Sequence, residues 1–425
     1  MLSRNDRKRE AIISTALKEW GKSHFRKTSL STLARGMGIT KPALYRYFRS
    51  KDDLNHAIEE RVRDEYYWLG RRFLEGSREL NLESTFSLYT DTHLRYFCEH
   101  PDMFYYFVIS ALKEPFLNHA ELKGIHSREI HRIGRLLEGS PVGWGYGDSA
   151  RILRYAFSTC SFWLHALLHL RDGFSAEDML SSYHSPLSNE QQAMIIRDAS
   201  DAVLRGLGGK DFRDDLPFES MESQCRVSAE EMPERDRIFE SISEVVAEEG
   251  LANTTLEKIA QKAGMTKSSL YFYFRNKDDM LGSMLNRERD RIDTIFEQRA
   301  RLYKSIEEKI YSRFLVTASY HINNTNLMTA FSWFHYQGIV VHLQPPSRQA
   351  LEKSTAFLQE AITSGRLRCF SFEPFHILFY INSLVFNEIF GKTRSNPPLP
   401  LTLKDMRSVF RYFSRGVLWA TNQEE

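Results

Sequence analysis

Residues 38–53 read GITKPALYRYFRSKDD, and residues 264–279 read GMTKSSLYFYFRNKDD. The offset between them is 226. It holds without a gap back through TSLSTLA (28–34) against TTLEKIA (254–260), and on to Ile12 against Ile238. A match of this length at one fixed offset marks a duplication. The 425-residue chain is long enough for two or more domains.

Working outward from the first copy, Ile12, Ala16, Leu17 and Trp20 fall at helical spacing and form one apolar stripe. Thr28 is placed to cap a short helix over residues 30–37. Gly38 suits the tight turn that follows, and Thr40 is placed to cap a second short helix over residues 41–48. Ser50 is placed to cap a longer helix whose first turn, Lys51-Asp52-Asp53, sets two acids at the positive end of the helix dipole. The second copy repeats each signal: Thr254 with Glu257 as a capping box, Gly264, Thr266, and Asn276 with Asp279.

Two short helices joined by a glycine turn are the sequence form of a helix-turn-helix, whose second helix enters the major groove of DNA. Leu44 and Phe48 lie four apart and should face the core, leaving Lys41, Pro42, Ala43 and Arg46 on the other side. Pro42 and Ala43 are small enough for close approach to base edges, and Arg46 suits guanine. The hydroxyls of Thr28, Tyr45 and Tyr47 and the amine of Lys51 suit phosphate oxygens, and Thr40 joins the expected DNA-contact set. The same reasoning selects Thr254, Thr266, Lys267, Ser268, Ser269, Tyr271, Tyr273 and Lys277 in the second copy.

The order of Thr, Leu-Ala, Gly, Thr-Lys, Leu-Tyr-x-Tyr-Phe and Lys-Asp-Asp resembles the DNA-binding segment of the TetR/AcrR family of bacterial repressors. The resemblance covers both copies. The first copy departs from it at His24, a turn position where the second has Gly250. The resemblance implies an all-α fold: two tandem TetR-like halves, each an N-terminal helix-turn-helix plus a helical regulatory bundle. Members of this family are usually homodimers that read a palindrome, pair their last two helices into a four-helix bundle and respond to a ligand in the C-terminal domain. One chain with two complete units implies an intramolecular pseudo-dimer, in which helices 149–172 and 189–207 pack on 372–391 and 403–420. Fusion then replaces association by an effective concentration of order millimolar. The implied domains are 1–51 (first DNA-binding unit), 52–208 (first regulatory bundle), 209–234 (linker, rich in Gly, Pro, Ser and charge), 235–278 (second DNA-binding unit) and 279–425 (second bundle). The expected assembly is a monomeric pseudo-dimer, with renewed pairing into a homodimer left open.

The two units differ in charge. Residues 1–51 hold 13 Lys/Arg against 3 Asp/Glu, whereas residues 235–277 hold 7 against 6. The first should supply most of the phosphate attraction. The expected partner is a double-stranded operator with two non-identical half-sites, since Pro42, Ala43 and Arg46 are matched by Ser268, Ser269 and Phe272.

The remaining composition narrows the function. Net charge is +2, so DNA binding must rest on local charge. The four cysteines, at 98, 160, 225 and 369, form no CxxC motif. The N-terminus lacks the apolar run of a signal peptide, and the most apolar stretch, 372–390, carries Glu373, His376, Asn382, Asn387 and Glu388. A cytoplasmic protein without membrane spans is expected. His165 and His169 are spaced like metal ligands, but no acidic or Cys partner lies near them in sequence, so packing is the preferred reading and no metal is expected. No phosphate loop, nucleophile motif or zinc motif appears, so neither an enzyme nor a cofactor is expected. Aromatic clusters at 104–107 and 331–336 fall where the family's ligand pocket lies. Rings at helical spacing are most often core. The alternative is a pocket for a small hydrophobic or aromatic effector, lined by Phe104, Phe107, Trp163, Phe331 and Phe334. The resulting reading is a sequence-specific DNA-binding regulator, a repressor released by such a ligand. The competing reading is an architectural or partner-docking DNA-binding protein without an effector.

Overall fold

The computed structural model describes residues 3–23, 29–104, 106, 120–138, 146–170, 187–228, 230–232, 237–249, 254–324, 348–368, 370, 373–393 and 400–420. Within them the named elements are all helices, and a lone antiparallel bridge joins Gly208 to Leu367. No helix among the described residues is long and apolar enough to cross a membrane.

The first half begins with α1 (Arg4–Ser23), α2 (Leu30–Gly36) and α3 (Lys41–Tyr45). It continues with α4 (Lys51–Gly76), α5 (Leu82–Glu99), α6 (Ala120–Leu137), α7 (Tyr146–Leu170) and α8 (Asn189–Arg205). A short helix, α9 (Phe218–Gln224), precedes the second half. That half repeats the order as α10 (Arg237–Glu249), α11 (Leu256–Ala263), α12 (Lys267–Tyr273), α13 (Lys277–Ala300), α14 (Ile306–Ile322), α15 (Arg348–Thr363), α16 (Pro374–Thr393) and α17 (Asp405–Arg415). The four helices expected from the sequence to close the two halves correspond to α7, α8, α16 and α17.

These four helices pack on one another. α7 lies along α16, and α8 meets α17. The seam is apolar and aromatic: Tyr155 stacks on Tyr412 with ring centroids 5.3 Å apart, and Phe162 lies 4.9 Å from Tyr380. The Thr159 and Tyr380 hydroxyls are 2.6 Å apart and buried, so these two polar groups satisfy one another across the seam. At one end, Glu388 is 3% exposed and accepts from Arg151 Nε at 3.0 Å, with Arg154 3.6 Å away. A buried carboxylate is tolerated only with such cationic partners.

A pair of glycines shows how closely the halves mimic a two-fold dimer. Gly206 ends α8 at φ 66°, ψ −166°, and Gly416 ends α17 at φ 67°, ψ −164°. A Cβ on Gly206 would lie 2.4 Å from Arg415 N, and a Cβ on Gly416 would lie 2.4 Å from Arg205 N. The two helix ends therefore cross reciprocally, backbone against backbone, in a conformation open to glycine.

The segment 209–234 reads in sequence as an open connection, yet residues 209–227 are tightly packed. Phe212, Met221, Cys225 and Val227 are buried. Gly209 N donates to Arg366 O at 2.7 Å, and Val227 N donates to Ser319 Oγ at 2.8 Å. Glu222 of α9 accepts from Arg407 Nη2 at 2.8 Å and from the Tyr311 hydroxyl at 3.1 Å. Its apolar residues are too sparse for helical periodicity, yet Phe212 packs on Phe410 and Phe218 on Tyr311 of the second half, and the Cys225 sulfur lies 3.3 Å from the Tyr303 hydroxyl.

Candidate nucleic-acid interface

α2 and α3 form the first helix-turn-helix, and α11 and α12 the second. The turns are set by Gly38 at φ 64° and Gly264 at φ 66°, left-handed conformations that glycine adopts without steric cost. Leu33 and Leu44 in the first unit, and Ile259 and Leu270 in the second, are fully buried and lock each pair of helices together. Phe48 is also buried, as its spacing from Leu44 predicts.

Side-chain caps fix where each short helix starts. The Thr40 hydroxyl accepts from Ala43 N at 3.3 Å, and the Thr266 hydroxyl accepts from Ser269 N at 3.1 Å. Ser50 and Asn276 cap α4 and α13. Asp53 and Asp279 reach back to accept from Arg49 N at 2.8 Å and Arg275 N at 2.9 Å, so both junctions are closed reciprocally. Two caps differ from the sequence reading. Ser29, not Thr28, caps α2 by accepting from Thr32 N, and Thr255, not Thr254, caps α11 by accepting from Lys258 N. In each pair the second residue stands directly before the first helical one, which is the cap position.

These caps leave Lys41, Pro42, Tyr45 and Arg46 exposed on α3 and just beyond it, with Ala43, Tyr47 and Lys51 half-buried. In the second unit Thr266, Lys267, Ser268, Tyr271 and Tyr273 are exposed and Ser269 is half-buried. The lysine at the head of each helix lies over a tyrosine ring: Lys41 Nζ is 5.9 Å from the Tyr45 centroid, and Lys267 Nζ is 5.8 Å from that of Tyr271. Thr254 is 2% exposed, so it is withdrawn from the surface set. Thr28, Phe107, Phe331 and Phe334 lie outside the described residues, as do the side chains of Lys277, His165 and His169. Phe104 is buried against Phe97, 5.4 Å between ring centroids. Trp163 packs edge-on against Phe370 and Tyr380 of the other half, which places it in the seam between halves.

The electrostatics of the two units diverge further than net charge suggests. Glu257 of α11 accepts from the Lys267 ammonium, and this bond holds the lysine pKa above and the carboxyl pKa below their ordinary values. At the same offset the first unit has Ser31, so no such carboxylate faces Lys41. Glu244 and Glu248 stand where the first unit has Lys18 and Lys22, and both are bridged to Lys262. The second unit is thus largely neutralised within itself. Reading along one unit missed the Glu257–Lys267 pair; comparing the units position by position exposes it. The second helix also presents Phe272, 86% exposed, where the first has Arg46.

The family model for bacterial regulatory proteins of the tetR family matches at two places, residues 12–58 and 238–284. The chain is 23% identical to the HTH-type transcriptional regulator SrpR of Pseudomonas putida over 143 residues, which covers 33% of this chain and 67% of that one. It is 36% identical to the HTH-type transcriptional repressor BepR of Brucella suis over 76 residues, covering 18% and 36% of the two chains. It is 30% identical to the fatty acid metabolism regulator protein of Bacillus subtilis over 78 residues, covering 18% and 40%. The chain therefore spans two thirds of the length of the first and about two fifths of the others. Among solved structures, the transcriptional regulator FadR from Bacillus subtilis in complex with stearoyl-CoA aligns at 19% identity and TM-score 0.34, over 43% of this chain and 98% of that one. With the family model matched at two places and a helix-turn-helix built at both, the chain carries two tandem DNA-binding segments of the tetR family of bacterial regulatory proteins.

Proposed function

We propose that this regulator is a repressor that grips one asymmetric operator with its two unlike helix-turn-helix units and leaves it when a small hydrophobic ligand binds in the helical bundles. The observation that carries the reading is the seam of α7 and α8 against α16 and α17, which joins two exposed DNA-reading helices within one chain. On this reading the domains are 1–51, 52–208, 235–278 and 279–425, with 209–234 between the halves.

Lys41, Pro42, Ala43 and Arg46 meet bases, and Thr40, Tyr45, Tyr47 and Lys51 hold phosphates. In the second unit Ser268 and Ser269 meet bases, while Thr266, Lys267, Tyr271, Tyr273 and Lys277 serve the backbone. The protein works as a single-chain pseudo-dimer and is not an enzyme. The test is selection of an operator from random DNA, followed by footprinting and measurement of the mass of the complex. One chain on two dissimilar half-sites is the expected result. Two chains on a palindrome would overturn the asymmetric reading. A ligand that raises the melting temperature and lowers operator affinity supports the effector role.

A further inference from the structure

We propose that the groove between α4 and α6 of the first half is a binding site for a small molecule carrying two or more phosphate groups. The groove encloses about 480 Å³ and is lined by Arg71, Arg78, Arg128, Arg132 and Arg135, with Glu75 as the single carboxylate. Glu75 is already bonded to Arg71 at 3.2 Å. Among the described residues no ion pair or hydrogen bond engages Arg78, Arg128 or Arg135, in contrast to Arg151, Arg313 and Arg407, which are each held by a carboxylate.

The arrangement is regular. Arg71 stands near the end of α4 and Arg78 in the turn just beyond it, and Arg128 and Arg135 stand seven residues apart on α6. Two helical turns separate Arg128 from Arg135, about 10 Å along α6. The two walls of the groove therefore present four guanidinium groups around one elongated space. Arg132 forms its floor. It is buried and donates from Nε to Ser77 O at 3.1 Å and from Nη2 to Leu80 O at 2.7 Å, which fixes the end of α4. Burial chiefly, and then the neighbouring Arg135 charge, lower its pKa, with Glu79 opposing.

Arginine rather than lysine on both walls favours forked, bidentate contact with phosphate oxygens. A single phosphate would engage only one end of the groove, whereas a polyphosphate chain or a doubly phosphorylated metabolite would engage both. The feature belongs to the first half: in α15, the counterpart of α6, the basic residues are Arg348 and Lys353, and Lys353 is paired with Glu297.

The test is calorimetric titration of the full chain with inorganic tripolyphosphate at near-physiological salt. Three proteins are compared: the native chain, Arg78→Gln/Arg128→Gln/Arg135→Gln, and Lys41→Gln/Arg46→Gln. The third controls for attraction to the DNA-binding surface. The native chain should bind one tripolyphosphate saturably and orthophosphate at least about tenfold more weakly. The triple variant should lose at least about tenfold in affinity while keeping its helical spectrum and melting temperature. Lys41→Gln/Arg46→Gln should bind as the native chain does. If the triple variant unfolds, Arg128→Gln and Arg135→Gln singly carry the same comparison. Undiminished binding by folded groove variants, loss of binding in Lys41→Gln/Arg46→Gln alone, or no binding to the native chain would each overturn the proposal.

Discussion

Glu257 holds the ammonium of Lys267 in an ion pair, so the lysine at the head of the second recognition helix is already paired within its own unit. The first unit offers Lys41 no such partner from the corresponding position, Ser31. A lysine that must leave a carboxylate before it meets a phosphate contributes less to DNA affinity.

Glu257→Gln should therefore tighten operator binding and steepen its salt dependence by about one unit of slope, the effect of one more phosphate contact. The measurement is log Kd against log salt for the native and variant proteins. An unchanged slope would mean that Lys267 meets no phosphate.

The reciprocal crossing of α8 and α17 predicts that Gly416→Ala costs at least about 2 kcal/mol, because strain at positive φ adds to a clash with fixed backbone. Gly206→Ala should cost a similar amount, since the two sites are nearly two-fold equivalents in conformation and surroundings. Urea unfolding reads both. Gly38→Ala, where a Cβ would meet nothing within 4 Å, should cost only the strain.

Glu388 faces Arg151 and Arg154 across the seam while almost wholly buried. Glu388→Ala should destabilise the protein by about 3–5 kcal/mol, as expected when one side of a buried ion pair is removed. Asp91→Asn, which breaks the solvent-exposed Arg95 pair, should change stability little by comparison. Equal effects in denaturant titrations would refute the assignment of Glu388 as a buried linchpin of the seam.

Burial pushes the pKa of His321 and of His376 down to about 3, with the charge of Arg313 adding to the effect at His321. In the unfolded chain both titrate near 6.5. Folded-state values below unfolded ones mean that the unfolded chain binds more protons between these limits. Stability is then full above about pH 6.5 and falls as pH drops toward 3, by about 2 kcal/mol per histidine at pH 5. Unfolding free energies at pH 7, 6 and 5 check this, and His321→Phe should flatten the profile.

Much of the protein was legible in its sequence. The repeat at offset 226 fixed the tandem design. The spacing of Leu44 and Phe48 fixed which face of the recognition helix is core, and Thr40, Thr266, Ser50 and Asn276 were readable as caps because capping depends on neighbours three residues away. Local chemistry of this kind is written locally. The Ser29 and Thr255 caps shifted by one residue because two adjacent hydroxyls compete for one role, and only the helix start chooses between them.

Long-range relations were decided by the tertiary structure. Trp163 looked like a pocket residue, yet packing turns it toward Phe370 and Tyr380, more than two hundred residues away. The connection at 209–227 looked open, yet Phe212, Met221 and Cys225 each find a core cavity that no periodicity announces. Gly206 and Gly416 gained their meaning only from each other. A sequence records which groups are apolar, charged or hydroxylated at helical spacing; which distant backbone each one meets is set by how the two halves close on one another.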